Sequence, residues 1–382
     1  MTDQADSAAP PRFFAGLESL RGIAALMVAL YHPAWQSHIV RWNLVRNGSL
    51  MVDFFFVLSG FVLFHSYGGK LATWADSRRF LLIRLGRLYP LHLAVLLVFV
   101  AIECLKWGLF RLHLASIASV PFAENTPGSL IGNLLLIHGL GFYGQPTWNV
   151  PSWSISVEFY IYALFALIVV LFRKKPILLV SCGALAMTGL LVSWTAAGGL
   201  DSTAKYGFFR GLLGFFCGVI AWHGYAALRG RFGERGLAAA AIVLGVSTIA
   251  LLSWMRRGTS DFFVIPLFVG IVLVVALADA RGLGFLNGRA LVWLGTISYS
   301  IYLVHPAINW GFETLLFHIL RVPRLDLYQT GVWTGDFLTV AYVAIVLMVS
   351  AWTFRYIEDR FRRKVRRAVD GPRPAVAKKS KS

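Results

Sequence analysis

Charged residues are scarce in this chain, and acidic residues are the scarcest. Asp, Glu, Lys and Arg make up 14% of its 382 residues, whereas apolar residues make up 57%. The mean hydropathy of +0.67 excludes an ordinary soluble domain and indicates a polytopic membrane protein. The 18 acidic and 36 basic residues leave a formal charge of +18. Because the basic residues lie in short loops and the tail, membrane orientation explains this charge, and no nucleic-acid partner is predicted.

Cysteine is equally rare, and its positions argue against a disulfide framework. Cys104, Cys182 and Cys217 all fall inside apolar runs, where packing is the expected role. No metal site is predicted. A cleavable signal peptide is not apparent, because the N-terminus is polar and the first apolar run contains Arg21.

Long apolar runs are what the chain has in abundance. Ten of them are close to the roughly 20 residues that a membrane crossing needs, so we predict an all-α fold with about ten transmembrane helices. They cover about residues 16–33, 50–67, 88–107, 153–172, 177–195, 208–225, 236–254, 262–279, 291–310 and 336–354. One transmembrane domain is expected over 14–365, between disordered cytoplasmic ends at 1–13 and 366–382. A surface helix on anionic lipid is expected over 356–367.

A further apolar segment, residues 129–142, is short and interrupted by glycines. If it does not cross the membrane, the cytoplasmic side carries 25 Lys and Arg residues and the outer loops carry eight. If it crosses, 19 of the 25 move outside. The positive-inside rule favours the first arrangement. The segment is therefore predicted to be re-entrant or surface-lying on the outer side, where it lines a cavity, and both termini are predicted to be cytoplasmic.

Two ionisable residues share one face of the first predicted helix. Arg21 and His32 are eleven positions apart, which places them about 20° apart around the helix axis and roughly 16 Å apart along it. A titratable group at such depth usually points into the protein and has a function. The alternative, of equal weight on spacing alone, is that His32 only ends the helix at the far interface.

The second predicted helix carries two further polar positions. Asp53 lies near its outer end, on the same side of the membrane as His32. Asp53 could accept a proton from the imidazole, or it could be an interfacial acid at a helix N-terminus. Ser59 and Gly60 fit a small-residue packing point. Ser59 could also be a nucleophile, but no neighbouring base is evident.

A cluster of arginines precedes the third predicted helix. Arg84 and Arg87 are three positions apart and share a helical face at the predicted cytoplasmic surface, just after Arg78 and Arg79. Two guanidinium groups arranged in this way suit bidentate phosphate binding. The phosphate could belong to a lipid headgroup or to a nucleotide-bearing cofactor.

Two more ionisable residues lie inside later helices. Glu158 is about a turn and a half into a helix that descends from the outer face. A carboxylate there must be paired, protonated or hydrated, so it either faces a cavity with His32 or pairs with Arg210. His305, next to Pro306, is a second intramembrane histidine, and a structural or tuning role is favoured for it.

Five motifs, in this order, resemble those of the membrane acyltransferase-3 family. They are Arg21 with His32 eleven positions later, Asp53-Phe-Phe-Phe-Val-Leu-Ser-Gly60-Phe61, Arg84-x-x-Arg87-x-x-Pro90, Trp153-Ser154-x-x-x-Glu158 and Ser298-Tyr299-Ser-Ile-Tyr302-Leu-Val-His305. The resemblance covers roughly residues 14–365. Many members of this family carry an additional periplasmic hydrolase-like domain, which is not expected here.

The resemblance implies acyl transfer, commonly of acetyl, from cytoplasmic acyl-CoA to a hydroxyl of an extracytoplasmic carbohydrate or glycoconjugate. It also implies an integral protein of the bacterial inner membrane, in contact with lipid. The family pattern makes His32 the general base, oriented by Glu158 or Asp53. The CoA phosphates of acetyl-CoA or another acyl-CoA would be held by Arg84 and Arg87, helped by Arg21, Arg78 and Arg79. The residues expected to contact substrate or support the site are Trp153, Ser154, Tyr160, Arg210, Tyr299 and His305.

Several alternatives stay open from the sequence. The acceptor could be a small molecule such as a macrolide, or a lipid carrier, and a proton-coupled transporter is the non-enzymatic alternative. Within an enzyme, direct transfer between two bound substrates is favoured over an acyl-enzyme formed at His32, Ser154 or a tyrosine. The reason is that no activated nucleophile is evident.

Overall fold

The structure, a computed structural model, is helical throughout the part of the chain that it describes. The described residues are 14–112, 120–172, 176–200, 203, 205–256, 258–279, 283–319 and 332–370. The helices are α1 (Ala15–Tyr31), α2 (His38–Arg41), α3 (Asn43–Arg46), α4 (Met51–Tyr67), α5 (Trp74–Arg111), α6 (Pro127–Leu134), α7 (Trp153–Leu171), α8 (Ile177–Thr195), α9 (Gly207–Leu228), α10 (Glu234–Trp254), α11 (Val264–Asp279), α12 (Arg289–Thr296), α13 (Ser298–Glu313), α14 (Val332–Thr353) and α15 (Asp359–Asp370). The predicted all-α fold is confirmed.

Each of the ten predicted apolar runs coincides with a helix. Among the described residues, eight helices are long and apolar enough to cross a membrane, and α12 with α13, bent by 65°, forms a ninth candidate. The one remaining predicted run, 16–33, is α1, whose 17 residues span about 25 Å. The predicted polytopic membrane fold is therefore confirmed, while α1 is shorter than the usual crossing.

The two ends of the bundle are distinguished by contacts between distant helices. At the end where α1 begins, which we call the Ser19 end, Ser19 donates a hydrogen bond to the carbonyl of Leu286. At the opposite end, the His38 end, the backbone N–H of His38 donates to Asp336 at the start of α14 over 2.8 Å. Since α1 leaves the Ser19 end and α14 returns to it, the described chain starts and finishes at the same end of the bundle.

Close helix packing depends on small residues between α4 and α9. A side chain at Gly60 would collide with the carbonyl oxygen of Phe215, and one at Gly218 would collide with that of Val57. Such contacts between backbones are typical of helix pairs in membranes, where van der Waals packing replaces the hydrophobic effect as the driving force. The predicted packing role of Gly60 therefore has a definite partner helix.

The segment that interrupts the predicted spans contains α6, which has eight residues and is about 12 Å long, too short to cross. The irregular backbone after it is bonded by side chains of the neighbouring helices. Tyr89 donates to the carbonyl of Leu134 over 3.0 Å, and Ser156 bonds both the carbonyl of Leu136 and the N–H of Gly139. Irregular backbone buried in this way meets the condition for non-helical chain at membrane depth.

Two histidines connect the segment at 129–142 to the neighbouring helices. His92 of α5 and His138 stack with their ring centroids 5.7 Å apart, and His138 bonds the hydroxyl of Ser152 over 3.0 Å. Burial, together with the neighbouring His92, lowers the pKa of His138 to about 4. His138 is therefore neutral at physiological pH and acts as an uncharged hydrogen-bonding residue.

The C-terminal part of the described chain lies against α5. A π-helical turn, Phe354–Glu358, joins α14 to α15, and Arg79 pairs with Asp370 over 2.8 Å. The surface helix expected over 356–367 is thus found at Asp359–Asp370. The expected domain end at residue 365 falls inside this helix. Of the tail expected to be disordered over 366–382, residues 366–370 belong to α15. Residues 371–382 and the N-terminal residues 1–13 lie outside the described residues.

Candidate active site

A cavity of about 320 Å³ lies between α1, α4, α5, α7 and α13. Six residues of the predicted site line it: Arg21, Arg84, Arg87, Ser154, Glu158 and Tyr299. These residues come from four different helices, so the fold brings together motifs that are far apart in the chain. The remaining predicted residues lie outside this lining.

Three arginines form the positively charged wall of the cavity. Arg21 is held by Glu18 at 2.5 Å, by the Gly295 carbonyl at 2.9 Å and by the Ser298 hydroxyl at 2.8 Å. By contrast, Arg84 and Arg87 form no ion pair with any described residue, and the Nε atom of each is buried without a hydrogen-bond partner. Both side chains are half-buried, and the Arg84 guanidinium lies against the Tyr67 and Phe80 rings. With no carboxylate in an ion pair with either arginine, this wall can bind an anion.

Arg78 and Arg79 lie away from this wall, which corrects the expectation that they join Arg84 and Arg87. Both are exposed, and Arg79 is paired with Asp370 at the surface. The physical reason is the helical period, since Arg78 and Arg79, six and five positions before Arg84, are rotated from it by about 120° and 140° around the axis of α5.

The carboxylate of Glu158 is bonded inside the cavity by two hydroxyl groups. Ser59 donates to its Oε1 over 2.8 Å, and Tyr162 donates to the same oxygen. The hydroxyl oxygens of Ser59 and Tyr162 are 3.0 Å apart. Of the two alternatives for Glu158, the pairing with Arg210 is therefore not the one found. Sequence reasoning missed Tyr162, although its i, i+4 spacing from Glu158 was the available signal.

Arg210 instead forms a fully buried ion pair with Asp53. Its Nε donates to Asp53 Oδ1 over 2.8 Å and its Nη2 to Oδ2 over 2.7 Å. The two side chains are 2% and 0% exposed, and the Trp153 ring lies 5.4 Å from the guanidinium carbon. This bidentate pair corrects the expectation that Asp53 orients His32, because both carboxylate oxygens are already engaged.

His32 is paired with His305 instead. Nδ1 of His32 lies 2.8 Å from the Val28 carbonyl and 3.2 Å from Nε2 of His305. Nδ1 of His305 lies 3.1 Å from the Ile301 carbonyl. Each Nδ1 faces a carbonyl, so each neutral ring carries its proton there. In this arrangement His305 Nε2 accepts from His32, and His32 Nε2 keeps a free lone pair.

The histidine pair and the cavity are separated by one aromatic side chain. Tyr302 lines the cavity, and its ring centroid is 6.1 Å from that of His305. Its hydroxyl lies 2.8 Å from Ser154 and donates to the Pro151 carbonyl. His32 itself is not part of the cavity lining that the described residues form, which sequence spacing did not reveal.

The other residues expected to support the site form hydrogen bonds to the backbone or are buried by packing. Tyr160 is half-buried and donates to the Leu135 carbonyl over 3.3 Å, and Tyr299 donates to the Leu88 carbonyl over 2.6 Å. Trp153 is buried beside the ion pair. No group of three or more His, Cys, Asp or Glu side chains among the described residues could hold a metal ion.

A membrane-spanning bundle with a cavity lined by arginines and a hydroxyl–carboxylate cluster defines the class, an integral membrane protein with a polar site between its helices. Comparison with known families identifies the family to which the chain belongs. The family described as "Acyltransferase domain" matches residues 14–356. The chain therefore belongs to the membrane acyltransferase-3 family, and it is a membrane O-acyltransferase of groups other than aminoacyl groups.

Several bacterial relatives carry acyltransferase names. The chain is 29% identical to Acyltransferase MdmB of Streptomyces mycarofaciens, over 88% of its own length and 90% of that protein. It is 28% identical to Putative peptidoglycan O-acetyltransferase YrhL of Bacillus subtilis, over 92% of its length but only 55% of the relative. It is 23% identical to Peptidoglycan O-acetyltransferase OatA of Listeria monocytogenes, again over 92% of its length and 56% of the relative. No solved structure gives a significant match.

Proposed function

We propose that this enzyme moves an acyl group, in the first instance acetyl, from cytoplasmic acyl-CoA to a hydroxyl of an extracytoplasmic carbohydrate or glycoconjugate. The observation that carries the proposal is the cavity, whose lining includes Arg84 and Arg87 together with the Ser59–Glu158–Tyr162 cluster. Relatives named as peptidoglycan O-acetyltransferases support a carbohydrate acceptor and an acetyl group.

The donor would bind by its phosphates at the arginine wall. Guanidinium groups bind phosphate oxygens in pairs, and they do so most strongly where water is excluded. A volume of about 320 Å³ is at the lower end for ligand pockets, which hold roughly 300–1,000 Å³. It therefore suits the narrow pantetheine arm with its thioester, while the nucleotide part stays at the Ser19 end. That end would be the cytoplasmic one, where the basic loops cluster.

The acceptor hydroxyl would be deprotonated by His32. The free lone pair on its Nε2 is the feature that a general base requires, and Val28 and His305 hold the ring in that tautomer. His305 would thereby have the orienting role that the family pattern implies for Asp53 or Glu158. The acceptor would approach from the His38 end, where Tyr31, the residue before His32, is exposed.

The test is acetyl transfer by the purified protein in liposomes. Radiolabelled acetyl-CoA is supplied with a panel of glycan fragments, small hydroxyl compounds and lipid-linked sugars, and wild type is compared with His32→Ala. We expect label on a carbohydrate acceptor with wild type and a loss of at least a hundredfold with His32→Ala, since a general base contributes about 10²–10⁴ in rate.

His38→Ala is the matched control, because His38 is an exposed histidine six positions further on that bonds Asp336. This variant is expected to keep wild-type activity. Full activity of a folded His32→Ala variant would remove His32 from the mechanism. Label on a lipid carrier or on a small molecule, with none on glycans, would redefine the acceptor.

A further inference from the structure

Ser59 has a feature that its sequence context does not predict, a carboxylate within hydrogen-bonding distance. It lies in the middle of α4, lines the cavity and donates its proton to Glu158 Oε1 over 2.8 Å. A serine becomes a nucleophile when a neighbouring base can take its proton. Glu158 is placed to do so, because the hydrogen bond already lies along the direction of transfer.

The cavity contains other serines, and they differ from Ser59 in this respect. Ser154 bonds the Pro151 carbonyl and the Tyr302 hydroxyl, and neither of these groups can accept a proton at neutral pH. Ser66, on the same helix as Ser59, has no carboxylate partner among the described residues. Ser59 is thus distinguished by its chemical environment, and Ser66 and Ser154 provide natural comparisons.

The size of the cavity favours a reaction in two steps. At about 320 Å³ it accommodates a pantetheine thioester but not a sugar beside it, given that pockets for single ligands are of this size or larger. His32 stands beyond Tyr302. An acyl group stored on the protein would allow CoA to leave before the acceptor enters, so the two substrates need not be bound together.

We infer that Ser59 is a covalent acyl carrier, with Glu158 as its base; this inference rests on the proposed acyl-CoA donor. In the first step, Ser59 Oγ attacks the thioester carbonyl and Glu158 takes the hydroxyl proton. The C–S bond breaks, and the CoA thiolate leaves with that proton as the thiol. The product is an oxygen ester at Ser59, and Glu158 is again a carboxylate.

In the second step, the acceptor hydroxyl attacks the ester carbonyl while the histidine pair takes its proton. The bond between the acyl carbon and Oγ breaks, the acyl group stays on the acceptor, and the proton returns to Ser59. Atoms and charges balance over the two steps without an oxidant, a reductant or a metal.

The experiment measures acyl groups on the full-length protein in liposomes without acceptor. Radiolabelled acetyl-CoA is added, free CoA is quantified by chromatography, and the labelled peptide is identified by mass spectrometry. We expect about one acetyl group per chain on Ser59, matched by one CoA released. Ser59→Ala should lower the protein-bound label at least tenfold, whereas Ser181→Ala, on α8 and outside the cavity lining, should leave it within twofold of wild type.

A second variant keeps the test valid if Ser59→Ala fails to fold. Ser59→Cys should become labelled as a thioester, which neutral hydroxylamine cleaves, whereas the wild-type ester should require alkaline conditions. Wild-type transfer to an acceptor without protein-bound label, together with an active Ser59→Ala, would overturn the acyl carrier and leave the proposed function standing. Absence of both label and transfer with acyl-CoA would overturn the proposed function, and the inference with it.

Discussion

At the scale of single residues, Arg84 and Arg87 are two cations that line the cavity and form no ion pair with a described residue. Their buried Nε atoms have no partner, and a hydrogen bond to a charged group contributes about 1.5–3 kcal/mol. Replacing both arginines by glutamine should therefore raise the KM for acyl-CoA at least tenfold. The KM for the acceptor should stay unchanged, which initial-rate measurements with each substrate varied in turn will check.

The matched control for these arginines is Arg363→Gln. Arg363 lies on α15 at the same end of the bundle, is exposed, and pairs with Asp359. Its loss should not alter either KM. If the double variant of Arg84 and Arg87 had an unchanged KM for acyl-CoA, these residues would not bind the donor, and contact with lipid headgroups would be their role.

Asp53 and Arg210 form the buried pair from which we expect the largest effect on stability. Removing one partner of such a pair costs about 3–5 kcal/mol, because the other charge is left uncompensated. Asp53→Asn should therefore lower the thermal midpoint of the purified protein by many degrees. Asp53→Leu with Arg210→Met should recover much of that loss, since an apolar pair of similar volume removes both buried charges.

The exposed pair between His38 and Asp336 is the comparison, and Asp336→Asn should change stability by less than about 1 kcal/mol. An Asp53→Asn variant that keeps its thermal midpoint but loses acyl transfer would show that Asp53 acts on the chemistry rather than on the fold.

Residue patterns could predict which positions share a helix face, but not their partners in other helices. Arg84 and Arg87 line the cavity together, as their spacing indicates. The Ser59–Glu158 bond joins residues 99 positions apart, and the Arg210–Asp53 bond joins residues 157 positions apart. Such pairings depend on how the helices are rotated against one another, and packing of side chains sets that rotation.

At the scale of elements, the contact between α4 and α9 holds Ser59 in its place. Gly60 has no room for a side chain, because its Cβ would meet the Phe215 carbonyl. Gly60→Ala should push the helices apart and destabilise the fold by about 1–3 kcal/mol, as overpacking generally does. Activity should fall with stability, since Ser59 would move away from Glu158.

Gly245→Ala is the control for this prediction. Gly245 is also in the interior of a membrane helix, α10, but a Cβ there meets nothing within 4 Å. Because alanine is a better helix former than glycine, this variant should be as stable as wild type or slightly more stable. Equal thermal midpoints for Gly60→Ala and wild type would contradict the close packing of α4 and α9.

The bend between α12 and α13 could not be predicted from the apolar run over 291–310. Ile297 leaves helical geometry with φ −93° and ψ 5°, and no proline stands at that point. We attribute the bend to the neighbouring helix α1. It packs so closely that a side chain at Gly295 would collide with the Glu18 carbonyl. Composition predicts a membrane helix here, whereas the packing of α1 bends it.

At the scale of the whole molecule, charge and hydropathy account for most of the architecture. Every predicted apolar run is a helix, because a backbone in hydrocarbon must bond its own polar groups. The segment at 129–142 is irregular, as its glycines indicated, and it contains the end of an eight-residue helix. The cavity could not be located in this way, since it is formed by side chains of five separate helices.

The same charge argument predicts the orientation of the protein, which labelling of single cysteines can test. In a chain with Cys104, Cys182 and Cys217 replaced by alanine, exposed positions are changed to cysteine one at a time and treated with a membrane-impermeant maleimide on intact cells. Arg41→Cys and Arg111→Cys should react from outside. Lys70→Cys and Arg229→Cys should react only after the membrane is opened.

Arg111 and Arg229 decide the question, because the short segment with α6 lies between them. If that segment does not cross, α7, α8 and α9 carry the chain from the outer side at Arg111 to the inner side at Arg229. If it crossed, Arg229 would lie outside with the later basic loops, against the positive-inside rule. Reaction of Arg229→Cys on intact cells would therefore mean that the second half of the protein has the opposite orientation. The basic helix α15 would then lie on the opposite side of the membrane from the start of α5. The ion pair between Arg79 and Asp370 requires these two helices to lie on the same side.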